Sequence, residues 1–365
     1  MLLATLLLIN DLPNVSRLTS WLFADDTALA VAAENFQDLE LQFNTEVNKV
    51  HNWLLANRLS VHYTEKTKFM LIQGPNVKDK GSDENFTLKM GNHVIEKTNN
   101  YKYLGVIVDD HLNWKCHIDK LCSKLSSVCG VLSKVRHYLD RNSLLLIYNS
   151  LFDSRIRYGL LGWGTSCEKY LAKIRVLQNR AIRFITFASF RTSVAPLYSK
   201  LKILPLNEQV FLQRSIFMHG LHYKNLPFAL SEYCTRPEHR YPTRYNAAGN
   251  YVLPKATTNR GQNSIKYNGP KAWVEVPTNL KEIAFRKPFS KKLKDHVLEK
   301  IHVDMPPNRM RTKKSRENDN CVEDLRALFE SDDDEEEFFG FYSTKTDDLA
   351  CIFLEESLME EFLGF

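Results

Sequence analysis

The sequence has no CxxC pair, and its seven cysteines (Cys116, Cys122, Cys129, Cys167, Cys234, Cys321 and Cys351) are odd in number and scattered. That spacing argues against a zinc site and against a disulfide framework, and reduced thiols in an intracellular protein are the expectation. A bilayer-spanning apolar run is also missing. The opening "MLLATLLLINDLP" is too short to span and lacks the basic start of a signal peptide. It reads as the end of a buried element stopped at Asp11-Leu12-Pro13, with a cleaved signal as the lesser reading, in a chain expected to be truncated at its N-terminus. Acid is scarce over most of the length. Residues 317–365 hold 17 acids and two bases, a net of −15, which leaves 47 bases, 26 acids and a net of +21 for residues 1–316. A body so basic suits a phosphate backbone or another polyanion.

What is present is periodic. "RLTSWLFA" and "TALAVAA" are rich in residues that fit a pleated, buried surface, and they read as two strands around Asp25-Asp26. Phe36, Leu39, Phe43, Val47, Val50 and Leu54 fall three or four apart, one face of a helix over residues 36–57. "LSVHY", "KFMLI", "FTLKM", "HVIEK" and "YKYLGVIV" read as further strands, with Gly91-Asn92 as a hairpin turn. Past Trp114 the period changes to 3.6, predicting helices over 115–139, 143–158 and 168–187, then near 193–202 and 206–222. In the helix at 168–187, Tyr170, Ile174, Leu177, Ala181 and Ile185 line an apolar side, while Lys169, Lys173, Arg175, Arg180 and Arg183 take much of the rest. Beyond it, "RPEHRYPTRYNAAGNYVLPKATTNRGQNSIKYNGPKAW" interleaves Arg, Lys and Tyr. A basic cluster, Arg309–Arg316, which allows a nuclear location, precedes the acidic run "ESDDDEEEFF"; little fixed structure is expected past about residue 305.

Two adjacent aspartates between strands too apolar for a surface hairpin project carboxylates from the edge of a core. Such oxygens suit a hard divalent cation, and a pair of cations can clamp the attacking and leaving oxygens of phosphoryl transfer. By itself, Asp-Asp in a turn is as readily a solvated hairpin.

"LFADDTALAV" resembles the F/YADD box of reverse transcriptases from non-LTR (LINE-type, jockey-like) retrotransposons, and a succession of motifs follows in that family's order. "INDLP" (9–13) is similar to the stretch before the box. "HNWLLANRLSVHYTEKTKFMLI" (51–72) is similar to the next motif, and "YKYLGVIVDDHLNWKCHI" (101–118) to the primer-supporting LGV hairpin. "LLLIYNSLFDSRIRYGLLGWG" (144–164) and "LQNRAIRFIT" (177–186) are similar to the helical thumb, and segments to about residue 299 to the region that closes such reading frames.

The element order gives an α+β fold, which the resemblance divides into an incomplete palm (residues 1–112), a helical thumb (113–190) and a mixed basic C-terminal region (191–300), while the charge runs leave a basic then acidic, disordered tail (301–365). The resemblance implies RNA-directed DNA polymerisation with Mg²⁺, on an RNA template and a DNA primer. Asp25 and Asp26 would be metal-binding and catalytic, and Lys66 a donor to the leaving pyrophosphate. Leu104, Gly105 and Val106 would support the primer, and Lys173, Arg175, Arg180 and Arg183 would contact nucleic acid.

Two departures stand out. His62 takes the place of the family's usual Asn, one residue further from Lys66. The third palm carboxylate, which the family carries upstream of the box, has no match, since Asp11 falls in a different motif. Inactivity of this chain alone is therefore expected. Two other readings stay open: a non-catalytic nucleic-acid-binding remnant, and an interaction protein whose acidic tail docks on its own basic surface or on a partner.

Overall fold

A computed structural model describes residues 9–24, 26–33, 35–59, 61–63, 66–72, 86–227, 230, 233–237, 248–256, 259–303 and 348–355. Helix and small sheets combine in an α+β arrangement, divided into two units: Met1–His117 with Gly340–Phe365, and Ile118–Phe339.

In the first unit β1 (Thr19–Phe23) and β2 (Asp26–Ala33) form a tight antiparallel hairpin, Phe23 pairing with Asp26. Helix α1 (Phe36–Ala56) begins at Asn35, whose side-chain oxygen accepts from the Asp38 amide at 2.8 Å, a standard N-cap. Its expected stripe is buried as read: Leu39, Phe43, Val47 and Val50 are inaccessible. It ends with Arg58 in the left-handed region (φ 58°) and the Leu59 amide bonded to the Leu54 carbonyl at 2.9 Å. That C-terminal turn is why "LSVHY" is not the strand its composition predicts. Leu59 and Val61 instead pack, as irregular backbone, under the same core.

Strand β3 (Lys68–Ile72) follows, then the two-residue strands β4 (Lys89–Met90), β5 (His93–Val94) and β6 (Glu96–Lys97), and the hairpin of β7 (Asn100–Tyr103) and β8 (Val106–Asp109). A final strand, β9 (Asp348–Glu355), lies in the middle of the main sheet, whose order is β1-β2-β9-β3-β6. This corrects the expectation of an unstructured tail for these eight residues. Their central run is apolar, a buried-strand pattern that the acidic composition around it outweighs. The rest of the tail, the basic cluster and residues 1–8 lie outside the described residues.

Alternation along β2 sorts its side chains. Leu29 and Ala33 face α1 and join Phe43, Leu54 and Phe69 in the larger core. Ala28 and Ala30 face the other way, with Met70 and Ile72, and are covered by Tyr101, Tyr103, Val108 and Leu112 of the β7–β8 region. At the far end of that hairpin Asp109 is buried, its carboxylate accepting from the Asn113 and Trp114 amides at 2.9 and 2.7 Å.

The second unit is helical. It carries α2 (Lys115–Val135, which begins in the first unit), α3 (Arg141–Ile147), a π-helical turn at Tyr148–Asp153, α4 (Ser154–Arg157) and α5 (Leu160–Trp163). Then follow α6 (Glu168–Thr186), α7 (Ala195–Leu201), α8 (Leu206–His222), α9 (Asn259–Asn263), α10 (Ile265–Glu275), α11 (Thr278–Lys281) and α12 (Arg286–Val303). Buried polar side chains lock register here. The Gln178 amide nitrogen donates to Tyr148 Oη and the Leu204 carbonyl, both at 3.1 Å, while its oxygen accepts from the Leu206 amide at 3.0 Å. All three hydrogen bonds are buried, so losing the side chain strands several groups. Trp273, Phe289 and Met218 centre a second core.

Truncating the α1 stripe should be costly. Phe43→Ala is expected to destabilise the first unit by about 3–5 kcal/mol in denaturant unfolding. Leu55→Ala, on the exposed face of α1, should stay within about 0.5 kcal/mol.

Candidate functional site

The Asp-Asp turn is closed by a residue in an uncommon conformation. Ala24 has φ 55°, a left-handed position that costs a non-glycine residue free energy and that native structures keep where something over-determines it. Asp25 lies outside the described residues. Asp26 opens β2 and is half-buried. The alternation that sends Ala28 and Ala30 towards the β7–β8 hairpin places Asp26 on that same face.

Contacts between distant segments converge there. Tyr103 Oη donates to the Trp21 carbonyl at 3.4 Å, 82 residues away in sequence. Burial first, and then the nearby Asp26 charge, push the Tyr103 phenol above its ordinary range. Tyr101 Oη donates to the Lys66 carbonyl at 3.1 Å. Lys66 is half-buried, two residues before β3 begins, at the end of the sheet where Asp26 also sits. His62, the departure from the family pattern, is exposed, and its carbonyl accepts from the Thr67 amide at 3.2 Å.

The tip of that hairpin is Leu104-Gly105, with φ of 46° and 81° between the paired Tyr103 and Val106. Positive φ at both central residues is the two-residue hairpin turn that matches strand twist. Leucine is a poor choice for it on local grounds, so the strain at Leu104 marks a position held by something other than turn propensity. The structure thus brings Asp26, Lys66 and the Leu104-Gly105-Val106 hairpin to one region of the first unit. The donor set decides whether a divalent cation fits. The Asp26 oxygens have the right chemistry, but no group of three or more His, Cys, Asp or Glu side chains converges among the described residues. Among the described residues Asp26 therefore offers a single carboxylate and no metal-binding cluster forms around it.

In the second unit the basic residues expected on α6 divide. Lys173 turns inward. It is buried and its Nζ pairs with Asp119 at 3.1 Å, which removes it from a nucleic-acid-facing surface. Arg175 is held by Glu168 and donates to Asn207 at 3.2 Å. Arg180 and Arg183 remain on the surface side, stacked 5.7 Å from the Phe184 ring and 5.5 Å from the Phe190 ring. Three participants escaped the sequence reading. Arg136 lies 5.6 and 5.3 Å from Phe184 and Phe187, and Phe187 and Phe190 are about half exposed. The signal was in "RFITFASFR" (183–191), where phenylalanines recur every third residue between arginines. Exposed aromatic faces layered with guanidinium groups offer stacking surfaces and positive charge together.

Comparison with known proteins agrees with the family resemblance. The chain is similar to reverse transcriptases of mobile elements. It is 27% identical over 156 residues to a probable RNA-directed DNA polymerase from transposon X-element of Drosophila melanogaster, covering 41% of this chain and 17% of that protein. Over 121 residues it is 26% identical to the RNA-directed DNA polymerase from mobile element jockey of Drosophila funebris, covering 32% and 13%. Over 171 residues it is 25% identical to a retrovirus-related Pol polyprotein from the type-1 element R1 of Bradysia coprophila, covering 46% and 16%. The matched stretches span about a sixth or less of these relatives' length. No family model and no solved structure matches. No helix among the described residues is long and apolar enough to cross a membrane.

The turn geometry makes opposite demands at adjacent positions. Gly105→Ala should destabilise the first unit by about 1 kcal/mol or more, because alanine is strained at φ 81°. Leu104→Gly should be neutral or stabilising in the same denaturant unfolding.

Proposed function

We propose that this chain is the palm-and-thumb portion of an RNA-directed DNA polymerase of a non-LTR retrotransposon, built to hold a primer–template duplex. The observation that carries the reading is the meeting of the β1–β2 hairpin, which carries Asp26, with the Tyr103–Val106 hairpin, Tyr103 bonding to Trp21 across 82 residues of sequence. In the family that the chain resembles, those two elements carry the catalytic carboxylates and the support for the primer end. Asp25 and Asp26 then supply two of the three carboxylates that hold Mg²⁺, which when bound would stabilise charge on the oxygens exchanged in nucleotidyl transfer. Lys66 lies at the same end of the sheet, in keeping with a donor to the departing pyrophosphate. Arg180, Arg183 and the Phe187/Phe190 faces serve as the thumb's hold on the nucleic-acid backbone and bases.

The sequence matches no third carboxylate, so the 365-residue polypeptide with primer, RNA template, nucleotides and Mg²⁺ should give no extension product. Binding is expected without chemistry. In titrations of a single strand and of an RNA–DNA duplex, Arg180→Ala with Arg183→Ala should loosen binding. The double change should also flatten the salt slope by up to about 0.9 for each phosphate no longer neutralised. Phe187→Ala with Phe190→Ala should weaken single-strand binding by about 1–3 kcal/mol per stacked base and leave the salt slope unchanged. Primer extension abolished by Asp26→Asn would overturn the inactivity. Absence of binding to any nucleic acid at low salt would overturn the whole reading.

A further inference from the structure

Strands β2 and β3 do not pair with each other. Within the sheet formed by the described residues they are joined through β9, which makes eight register pairs with β2 and five with β3, antiparallel on both sides. Everything else described in this unit is built from residues before 118, whereas β9 comes from the far end of the chain. Without it, β2 and β3 would present two facing, largely buried apolar edges with unpaired backbone groups, the arrangement most prone to capture a strand.

The fit of β9 is incomplete at one level. Thr27 pairs with Leu354. Thr67, one residue before β3 begins, lies at the level of Leu354 on the other side, because Lys68 pairs with Phe353. By alternation both threonines belong to the α1 face, with Leu29 and Phe69. Both are wholly buried, and neither hydroxyl finds a hydrogen-bond partner among the described residues. Buried hydroxyls are rarely left so, and here two of them flank a single leucine position of the inserted strand.

We propose that the gap between β2 and β3 is a strand-acceptor site and that Asp348–Glu355 fills it as an exchangeable plug. The partner chemistry it fits is an antiparallel, mainly apolar strand of another polypeptide, with a hydrogen-bonding side chain where this tail has Leu354. Backbone ladders on both sides give affinity, and the Thr27/Thr67 level gives selectivity. The tail holds the site by being tethered, so a free strand must outcompete a high local concentration. The inference rests on the sheet pairing and the two unpartnered threonine hydroxyls, and is independent of the polymerase reading.

Two experiments on the full chain test it. Register places Cys351 beside Ala30, so Ala30→Cys should form a disulfide with Cys351 under mild oxidation. Val31→Cys, whose side chain takes the opposite face, should not. A link between two chains at the same residues would equally place the strand in the gap. In hydrogen exchange, Ile352→Pro should strip protection from residues 26–33 and 68–72 together, since proline cannot donate to a central ladder. A peptide DLACIFTE, with threonine at the Leu354 position, should restore protection to the proline variant at about fivefold lower concentration than DLACIFLE, the gain expected of one recovered hydrogen bond. No cross-link with Ala30→Cys and unchanged protection with Ile352→Pro would overturn the plug. Equal or weaker action of the threonine peptide would overturn the partner chemistry.

Discussion

Alternation along the eight residues of β2 is the constraint on which the first unit depends. Side chains at 27, 29, 31 and 33 go to one face and those at 26, 28, 30 and 32 to the other, because successive residues of a pleated strand point oppositely. The first set is locked by the α1 core, where Leu29 meets Phe43 and Phe69. A one-residue slip would bury Asp26 under α1 and expose Leu29, so hydrophobic burial fixes where the carboxylate goes. The tyrosines of the β7–β8 hairpin then cover the second face and hold its strained tip near the Asp-Asp turn. Apolar packing thus dictates the placement of the polar groups.

The second unit separates positive charge by the same means. Lys173 lies among the buried positions of α6, and its charge is tolerated there because Asp119 meets it. Arg180 and Arg183 fall outside that stripe and rest on phenylalanine rings. A basic helix can therefore commit one charge to its own fold and still present others outward. Net charge alone does not distinguish the two uses. Partner residues do.

Much of this was legible in the sequence. The β1–β2 hairpin, α1 and its stripe, β3 and the start of α6 follow from period and from turn residues, since each is decided by short-range pattern, whereas the 101–108 hairpin came from the family resemblance. Two of the three misreadings share a cause, a partner distant in sequence. Asp119 is 54 residues from Lys173 and nothing local to α6 announces it. β9 is a strand because β2 and β3 receive it, although acidic residues crowd its ends. "LSVHY" has strand composition, but the left-handed Arg58 turns it to ending α1. The site divided similarly. The motifs pointed to Asp26, Lys66 and Leu104-Gly105-Val106, while the stacking of Arg136 on Phe184 and Phe187 required the folded chain.

The central claim is that the hairpin packs on the sheet face that carries Asp26, and the Tyr103 phenol reports on it. Its titration, followed by phenolate absorbance or by the ring carbon shift in NMR, should lie above the ordinary value near 10, from burial first and from the Asp26 charge second. Replacing Asp26 by Asn removes the charge and keeps the shape, so the Tyr103 titration should move down while staying above the ordinary value. An unperturbed Tyr103, or one indifferent to Asp26→Asn, would contradict the account.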